Sequence, residues 1–206
     1  MIKAKFGDRI DGWIQTALPF LFRRPIDPNF LTLLGLLISL VASVAFAGGW
    51  LRAGGVLILL GGFFDLVDGV VARHHGTSST FGAFLDSTLD RLVDMLLLLG
   101  ILMHYAVVDR PAEVLLAGVV LVASVMTSYA KARAERYVPD FGGGVLERGE
   151  RVGILAAGAI LGFLVLALWI VAIGATITVI QRFLLARREM ERLDAAARAD
   201  AAEQGG

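Results

Sequence analysis

The chain has 206 residues, 57% of them apolar, with 19 basic and 19 acidic side chains and no cysteine. A mean hydropathy of +0.74 excludes an ordinary soluble domain, the balanced charge offers nothing to nucleic acid, and the lack of cysteine excludes disulfide and thiolate chemistry. The length suits one domain, and apolar runs near the length of a bilayer span recur along it.

Residues 1–24 do not read as a signal peptide, because Lys3, Lys5, Asp8, Arg9 and Asp11 leave no uninterrupted apolar stretch. Within 6–22, Phe6, Ile10, Trp13 and Ile14 recur at helical spacing opposite Asp8, Arg9 and Asp11. Such an amphipathic helix lies in the membrane interface or packs at the rim of a bundle. Pro19 and Pro28 bracket a break, and Asn29 is placed to cap a first helix expected over 30–47, closed by Gly48-Gly49. A second helix is predicted over 53–73. A polar loop, His74-His75-Gly76-Thr77-Ser78-Ser79-Thr80, separates it from a third over 82–107. Asp109-Arg110-Pro111 marks the next turn, and a fourth helix is expected over 112–136, before a loop holding Pro139 and Gly142-Gly143-Gly144.

The last apolar stretch, Val152 to Ile180, has 29 residues, which make one overlong helix or two short ones. Charge decides between them. Lys131, Arg133, Arg136, Arg148 and Arg151 precede the stretch, and Arg182, Arg187, Arg188 and Arg192 follow it. Cytoplasmic flanks collect Lys and Arg, so both ends belong inside and the stretch crosses an even number of times. A hairpin turning within 162–168 is therefore predicted. The fold class is all-α integral membrane: six transmembrane helices over 25–188, an N-terminal interfacial helix over 1–24, and both termini cytoplasmic. Residues 189–206 are expected to form a charged, disordered tail beyond a frayed helix end.

Asp65 and Asp68 are three apart and share one face of the second helix. Asp86 and Asp90 are four apart on the third, and Asp94 continues their stripe. The short loop makes these helices antiparallel neighbours and brings the two pairs to similar depth. An ionised carboxylate near mid-bilayer costs about 2.5–3.5 kcal/mol even on the mildest scale. Four together need compensation. Hard divalent cations such as Mg²⁺ or Mn²⁺ provide it, in a two-metal site able to clamp a phosphoryl group. A proton or cation pathway of a transporter is the other reading of such residues.

The run Asp65-Leu66-Val67-Asp68-Gly69-Val70-Val71-Ala72-Arg73, followed by Gly82, Asp86 and Asp90, resembles the CDP-alcohol phosphotransferase signature D-x2-D-G-x2-A-R-x8-G-x3-D-x3-D at every fixed position. Six helices, and the Pro28-Asn29-Phe30-Leu31-Thr32 start of the first, are also similar to that family. The resemblance implies that a CDP-linked lipid, CDP-diacylglycerol, gives its phosphatidyl group to an alcohol and releases CMP. By position, Asp65, Asp68, Asp86 and Asp90 would hold two Mg²⁺ or Mn²⁺ ions, with Asp90 also the general base. Asn29, Thr32, Gly69, Arg73, Ser79 and Gly82 would join Asp65 and Asp68 in contacting the CDP-lipid. Close helix packing is a second role open to Gly69 and Gly82.

The signature does not name the acceptor. Ser128-Tyr129-Ala130-Lys131-Ala132-Arg133-Ala134-Glu135 and Glu147-Arg148-Gly149-Glu150-Arg151 resemble segments of the phosphatidylinositol-phosphate synthases and their archaeal relatives. That likeness implies inositol phosphate as acceptor, its phosphate held by Lys131, Arg151 and Arg182. Positive-inside flanks or lipid headgroup contacts would account for the same cations. The connection between the last two helices is shorter than that subfamily leads one to expect. Glycerol 3-phosphate, giving phosphatidylglycerol phosphate, is the alternative acceptor. His74 and His75 fit a loop surface and His104 an interfacial position. The family further implies a homodimer in a prokaryotic cytoplasmic membrane, its site open to the cytoplasm and to membrane lipid.

Overall fold

The fold follows from apolar runs broken only by short polar or glycine turns. The computed structural model describes residues 28–76, 79–139 and 141–204, with Gly12 and Thr16. The interfacial helix expected over 1–24 otherwise lies outside the described residues. Within them the chain is all-α: α1 (Pro28–Ala47), α2 (Leu51–His75), α3 (Thr80–Val107), α4 (Pro111–Ala134), α5 (Arg148–Leu161) and α6 (Leu164–Gln204). The hairpin lies at the start of the predicted window. Gly162 takes a left-handed φ of 83°, and the Phe163 amide donates to Gly158 O at 2.7 Å. The glycine that ends a helix this way is the turn signal, although no proline or charge accompanies it.

Close backbone contacts pair α1 with α2 and α3, α2 with α5, α5 with α6, α6 with α4, and α4 with α3. These contacts close a ring in the order α1, α2, α5, α6, α4, α3. Helix α1 packs against both α2 and α3, which are not themselves among the closely packed pairs although their aspartates meet. The interval between them is where the aspartates meet. One apolar core fills the ring, with Phe46, Ile58, Ile101, Val120, Leu168 and Val171 among its buried side chains. A smaller cluster of Leu31, Val67, Val70 and Val71 packs beside the aspartates.

The fold is membrane-embedded. Phe30–Ala47, Leu51–His75, Pro111–Ala134 and Leu164–Ala199 are long and apolar enough to cross a membrane. Large apolar side chains such as Leu37, Val44, Leu59, Val122 and Ile173 face outward. The two helices outside that group, α3 and α5, carry most of the site's charge beside Asp65 and Asp68 on α2. Helix α3 bears Asp86, Asp90, Arg91 and Asp94 in its first half. Helix α5 has only 14 residues, about 21 Å of rise, and opens on Arg148 and Arg151. Helix α6 runs on to Gln204, where the sequence suggested fraying and disorder. Alanine, glutamate and arginine favour helix there, and Arg187–Glu191 at 2.7 Å and Arg192–Glu189 at 2.9 Å pair along its surface.

Glycine allows the tightest helix contacts. A Cβ added at Gly100 would lie 2.3 Å from Ser43 O, one at Gly61 2.5 Å from Ser39 Oγ, and one at Gly55 2.9 Å from Ala156 O. A Cβ at Gly118 would meet nothing within 4 Å. Gly100→Leu is therefore expected to cost about 1–3 kcal/mol by forcing α1 from α3. Thermal unfolding in detergent should show a lowered midpoint for that variant and an unchanged or slightly raised one for Gly118→Ala.

Candidate active site

Helical spacing brings the carboxylates together. Asp65 and Asp68 on α2 and Asp86 on α3 each offer an oxygen, and these oxygens lie within 4.8 Å of one another. The span between opposite ligands around Mg²⁺, at about 2.1 Å per bond, is only slightly smaller. Three hard oxygen donors on two helices thus fit a small divalent cation. Asp68 is buried, with 5% of its surface exposed, and the Thr32 hydroxyl donates to its Oδ2 at 2.5 Å. Thr32, expected to touch nucleotide, therefore also orients this carboxylate. Residue Asn29 is in the first turn of α1, and its side chain lies outside the described residues.

Asp90 stands beside this triad and meets a cation of the protein itself. Arg148 Nη1 lies 2.8 Å from Asp90 Oδ1 and 3.4 Å from Asp65 Oδ2, while its Nε lies 3.1 Å from Asp94 Oδ1. Arg151 Nη2 reaches Asp94 Oδ2 at 3.4 Å. Sequence reasoning placed Arg148 among the cytoplasmic cations and in the Glu147–Arg151 segment but gave neither it nor Asp94 a role at the site. The available signal was the i, i+3 pair Arg148 and Arg151 at the head of a helix facing a stripe of aspartates. Arg148 reaches the site because Glu147 caps α5: its own side chain accepts from the Glu150 amide, and its amide donates to Glu150 Oε2 at 2.7 Å.

A cavity of about 450 Å³ opens between α1, α2, α3 and α5. Asp65, Asp90, Glu147, Arg148 and Glu150 form its polar part, and Leu36, Ile58, Leu97 and Val152 its apolar part. Its lining combines a charged group with a lipid-like interior. Gly69 and Gly82 do not serve close packing among the described helices. A Cβ at Gly69 would meet only Arg73 Nη1 at 3.3 Å, and one at Gly82 only Ser79 Oγ at 3.0 Å. Ser79 caps α3 by accepting from the Gly82 amide at 3.0 Å. Arg73 is exposed in the last turn of α2.

The three cations expected at the acceptor differ in their surroundings. Arg151 is buried, its Nη1 donates to Leu146 O at 3.3 Å, and its Nε has no partner among the described residues. Arg182 is also buried and donates to Gly143 O at 2.9 Å and Thr127 O at 2.6 Å. Thr178 accepts from the Val145 and Leu146 amides at 3.1 and 3.0 Å. Arg182 and Thr178 thereby hold the irregular 141–147 segment against α6. Lys131 is 42% exposed and lies 3.6 Å from Glu135 one turn on. Glu147 is within electrostatic reach of Lys131 and Arg182, and Arg182 within reach of Arg151. The cations thus gather around the head of α5. His74 and His75 stack edge to face at 5.0 Å and His104 packs beside Tyr105, outside the carboxylate cluster.

A family profile described as CDP-alcohol phosphatidyltransferase matches residues 26–186. The phosphatidylinositol phosphate synthase of Streptomyces avermitilis is 39% identical over 201 residues, 90% of this chain and 82% of that protein. The crystal structure of Mycobacterium tuberculosis phosphatidylinositol phosphate synthase with CDP-DAG bound superposes with a TM-score of 0.74 at 34% identity, covering 86% of this chain and 94% of that one. The same enzyme in complex with manganese and citrate gives a TM-score of 0.75 at 33% identity, covering 83% and 87%.

Replacing Thr32 by Val removes the donor that aims Asp68. Loss of such an outer contact is expected to weaken Mn²⁺ binding about tenfold or more. Titration of the purified protein followed by electron paramagnetic resonance checks this, and the thermal midpoint should hardly move.

Proposed function

Because the chain belongs to the CDP-alcohol phosphatidyltransferase family, we propose that it transfers the phosphatidyl group of CDP-diacylglycerol to inositol phosphate and releases CMP. The observation that carries this reading is the cluster of Asp65, Asp68 and Asp86 at the edge of a cavity that Asp65 and Asp90 line and that also has an apolar wall. A phosphoryl donor with lipid tails asks for both. The likeness to the Streptomyces and Mycobacterium synthases supports the acceptor.

Asp65, Asp68 and Asp86 would hold the divalent cations, two in number, with Asp90 joining the second. When bound, these ions supply neutralisation of the pyrophosphate charge and of the charge that develops on the leaving CMP. The chain's own residues do the rest. Asp90 takes the proton of the acceptor hydroxyl as that oxygen bonds to the phosphatidyl phosphorus and the bond from phosphorus to the CMP oxygen breaks. Gly69 and Gly82 leave room for the nucleotide against backbone, and Arg73, Ser79, Asn29 and Thr32 border it. Arg151 offers its unpartnered donor to the acceptor phosphate. Arg182 adds fixed charge, and Lys131 supplies a cation at the open edge.

The same reading has all six helices crossing the cytoplasmic membrane, with both termini and the site on the cytoplasmic side. The basic residues at the end of α4, at the head of α5 and on α6 beyond Ile180 support that orientation. Assembly as a homodimer is part of the proposal by family analogy.

Purified protein given CDP-diacylglycerol, Mg²⁺ or Mn²⁺ and a panel of acceptors should release CMP with inositol phosphate and not with free inositol or serine. Use of glycerol 3-phosphate alone would reassign the acceptor, and cation transport without CMP release would sink the enzyme reading. Asp90→Asn should lower kcat by about a hundredfold or more. Arg151→Ala should raise the KM for inositol phosphate much more than that for CDP-diacylglycerol.

A further inference from the structure

Arg148 is placed oddly for a residue that merely neutralises a buried charge. Its Nη1 does not pair with one carboxylate but lies between two, Asp90 at 2.8 Å and Asp65 at 3.4 Å. One of these belongs to the triad whose oxygens fit a divalent ion. Its Nε is engaged separately, on Asp94 at 3.1 Å, and Asp94 is held from its other oxygen by Arg151. The guanidinium therefore has two ends with different duties. One is anchored in a pair that Arg151 completes, and the other occupies the gap between two aspartates.

Charge explains why the gap needs a cation. Asp65, Asp68, Asp86, Asp90 and Asp94 bring five negative charges, and Arg148 and Arg151 bring two positive ones. Without a positive group between them, Asp65 and Asp90 would repel across a half-buried cavity where solvent screens poorly. A divalent ion that takes the oxygens Nη1 touches would compete with it for their lone pairs.

We propose that Arg148 is a positioning residue that stands in for a cation between Asp65 and Asp90 and yields these carboxylates to an arriving divalent ion while its Nε stays on Asp94. The inference rests on the metal-site reading given above and adds to it a competitor built into the chain. Arg148 keeps the carboxylates in place before the metal arrives and sets how tightly it binds. Because Asp94 also holds Arg151, the displaced guanidinium remains tied to the side chain offered to the acceptor.

Mn²⁺ titration by electron paramagnetic resonance, on the purified full chain without substrates, tests this. Arg148→Met removes the competitor and is expected to bind Mn²⁺ about tenfold more tightly than the unaltered protein. Arg148→Lys separates occupancy from charge. Its single ammonium, placed about where the guanidinium carbon lies, cannot hold Asp94 and the Asp65–Asp90 pair at once as the forked guanidinium does. This variant should also bind Mn²⁺ several-fold more tightly although its charge is unchanged, and should fold if the methionine variant does not. Wild-type affinity in Arg148→Lys overturns the inference, whatever Arg148→Met does, and leaves the metal site standing. Absence of Mn²⁺ binding to the unaltered protein overturns the metal-site reading and this inference with it.

Discussion

Everything in this molecule is arranged around the cost of placing five carboxylates inside a membrane-embedded bundle. Each would cost several kcal/mol alone in a low-dielectric medium, and together they repel. The described residues answer that cost with two arginines from a single helix. Arg148 spans Asp65, Asp90 and Asp94, and Arg151 completes Asp94. Buried ion pairs of this kind are weak evidence of stability, because desolvation offsets much of the attraction. Their value lies in specificity, since they fix where the head of α5 must sit relative to α2 and α3.

That demand shapes the rest of the fold. An arginine can reach the aspartates only if a helix begins at their depth, so α5 starts inside the bundle and has 14 residues where its neighbours have 20 or more. The chain before it is irregular, and irregular backbone at such depth must find partners in protein. Thr178 and Arg182 supply them from α6. The aspartates likewise explain why α2 and α3 do not pack closely. A gap lined by charge cannot close as an apolar interface does, and α1 holds both helices through small-residue contacts at Gly61 and Gly100 instead.

The helices, the hairpin and the carboxylate cluster were legible in the sequence because each rests on local periodicity or on fixed spacing. Asp65 and Asp68 must share a face whatever surrounds them. Helix α6 was misjudged at its end for the opposite reason. Loss of apolar periodicity there means that the helix leaves the bundle, not that it stops, because alanine and paired charges sustain helix without a buried face. Arg148 was not legible as a site residue. Its contacts with Asp65 and Asp90 join positions 83 and 58 residues apart. Its i, i+3 spacing with Arg151 is the one local signal, and Arg133 and Arg136 share that spacing. The duties of Thr32 and Ser79 were half legible: family position marked them, but only packing shows one aiming Asp68 and the other capping α3.

Asp94 then has a larger part than its depth below the signature residues suggests. It lies one turn beyond Asp90, outside the signature, and is almost fully buried. One of its oxygens takes Arg148, which also touches Asp65 and Asp90, and the other takes Arg151, proposed above to meet the acceptor. A carboxylate shared in this way makes the two halves of the site mechanically one. Any shift of Arg148 that accompanies cation binding is felt by Arg151 through a contact of 3.4 Å. The coupling needs no movement of whole helices, since α5 is pinned at its other end by the Gly158 contact with α6, where an added Cβ would lie 2.4 Å from Ala167 Cβ.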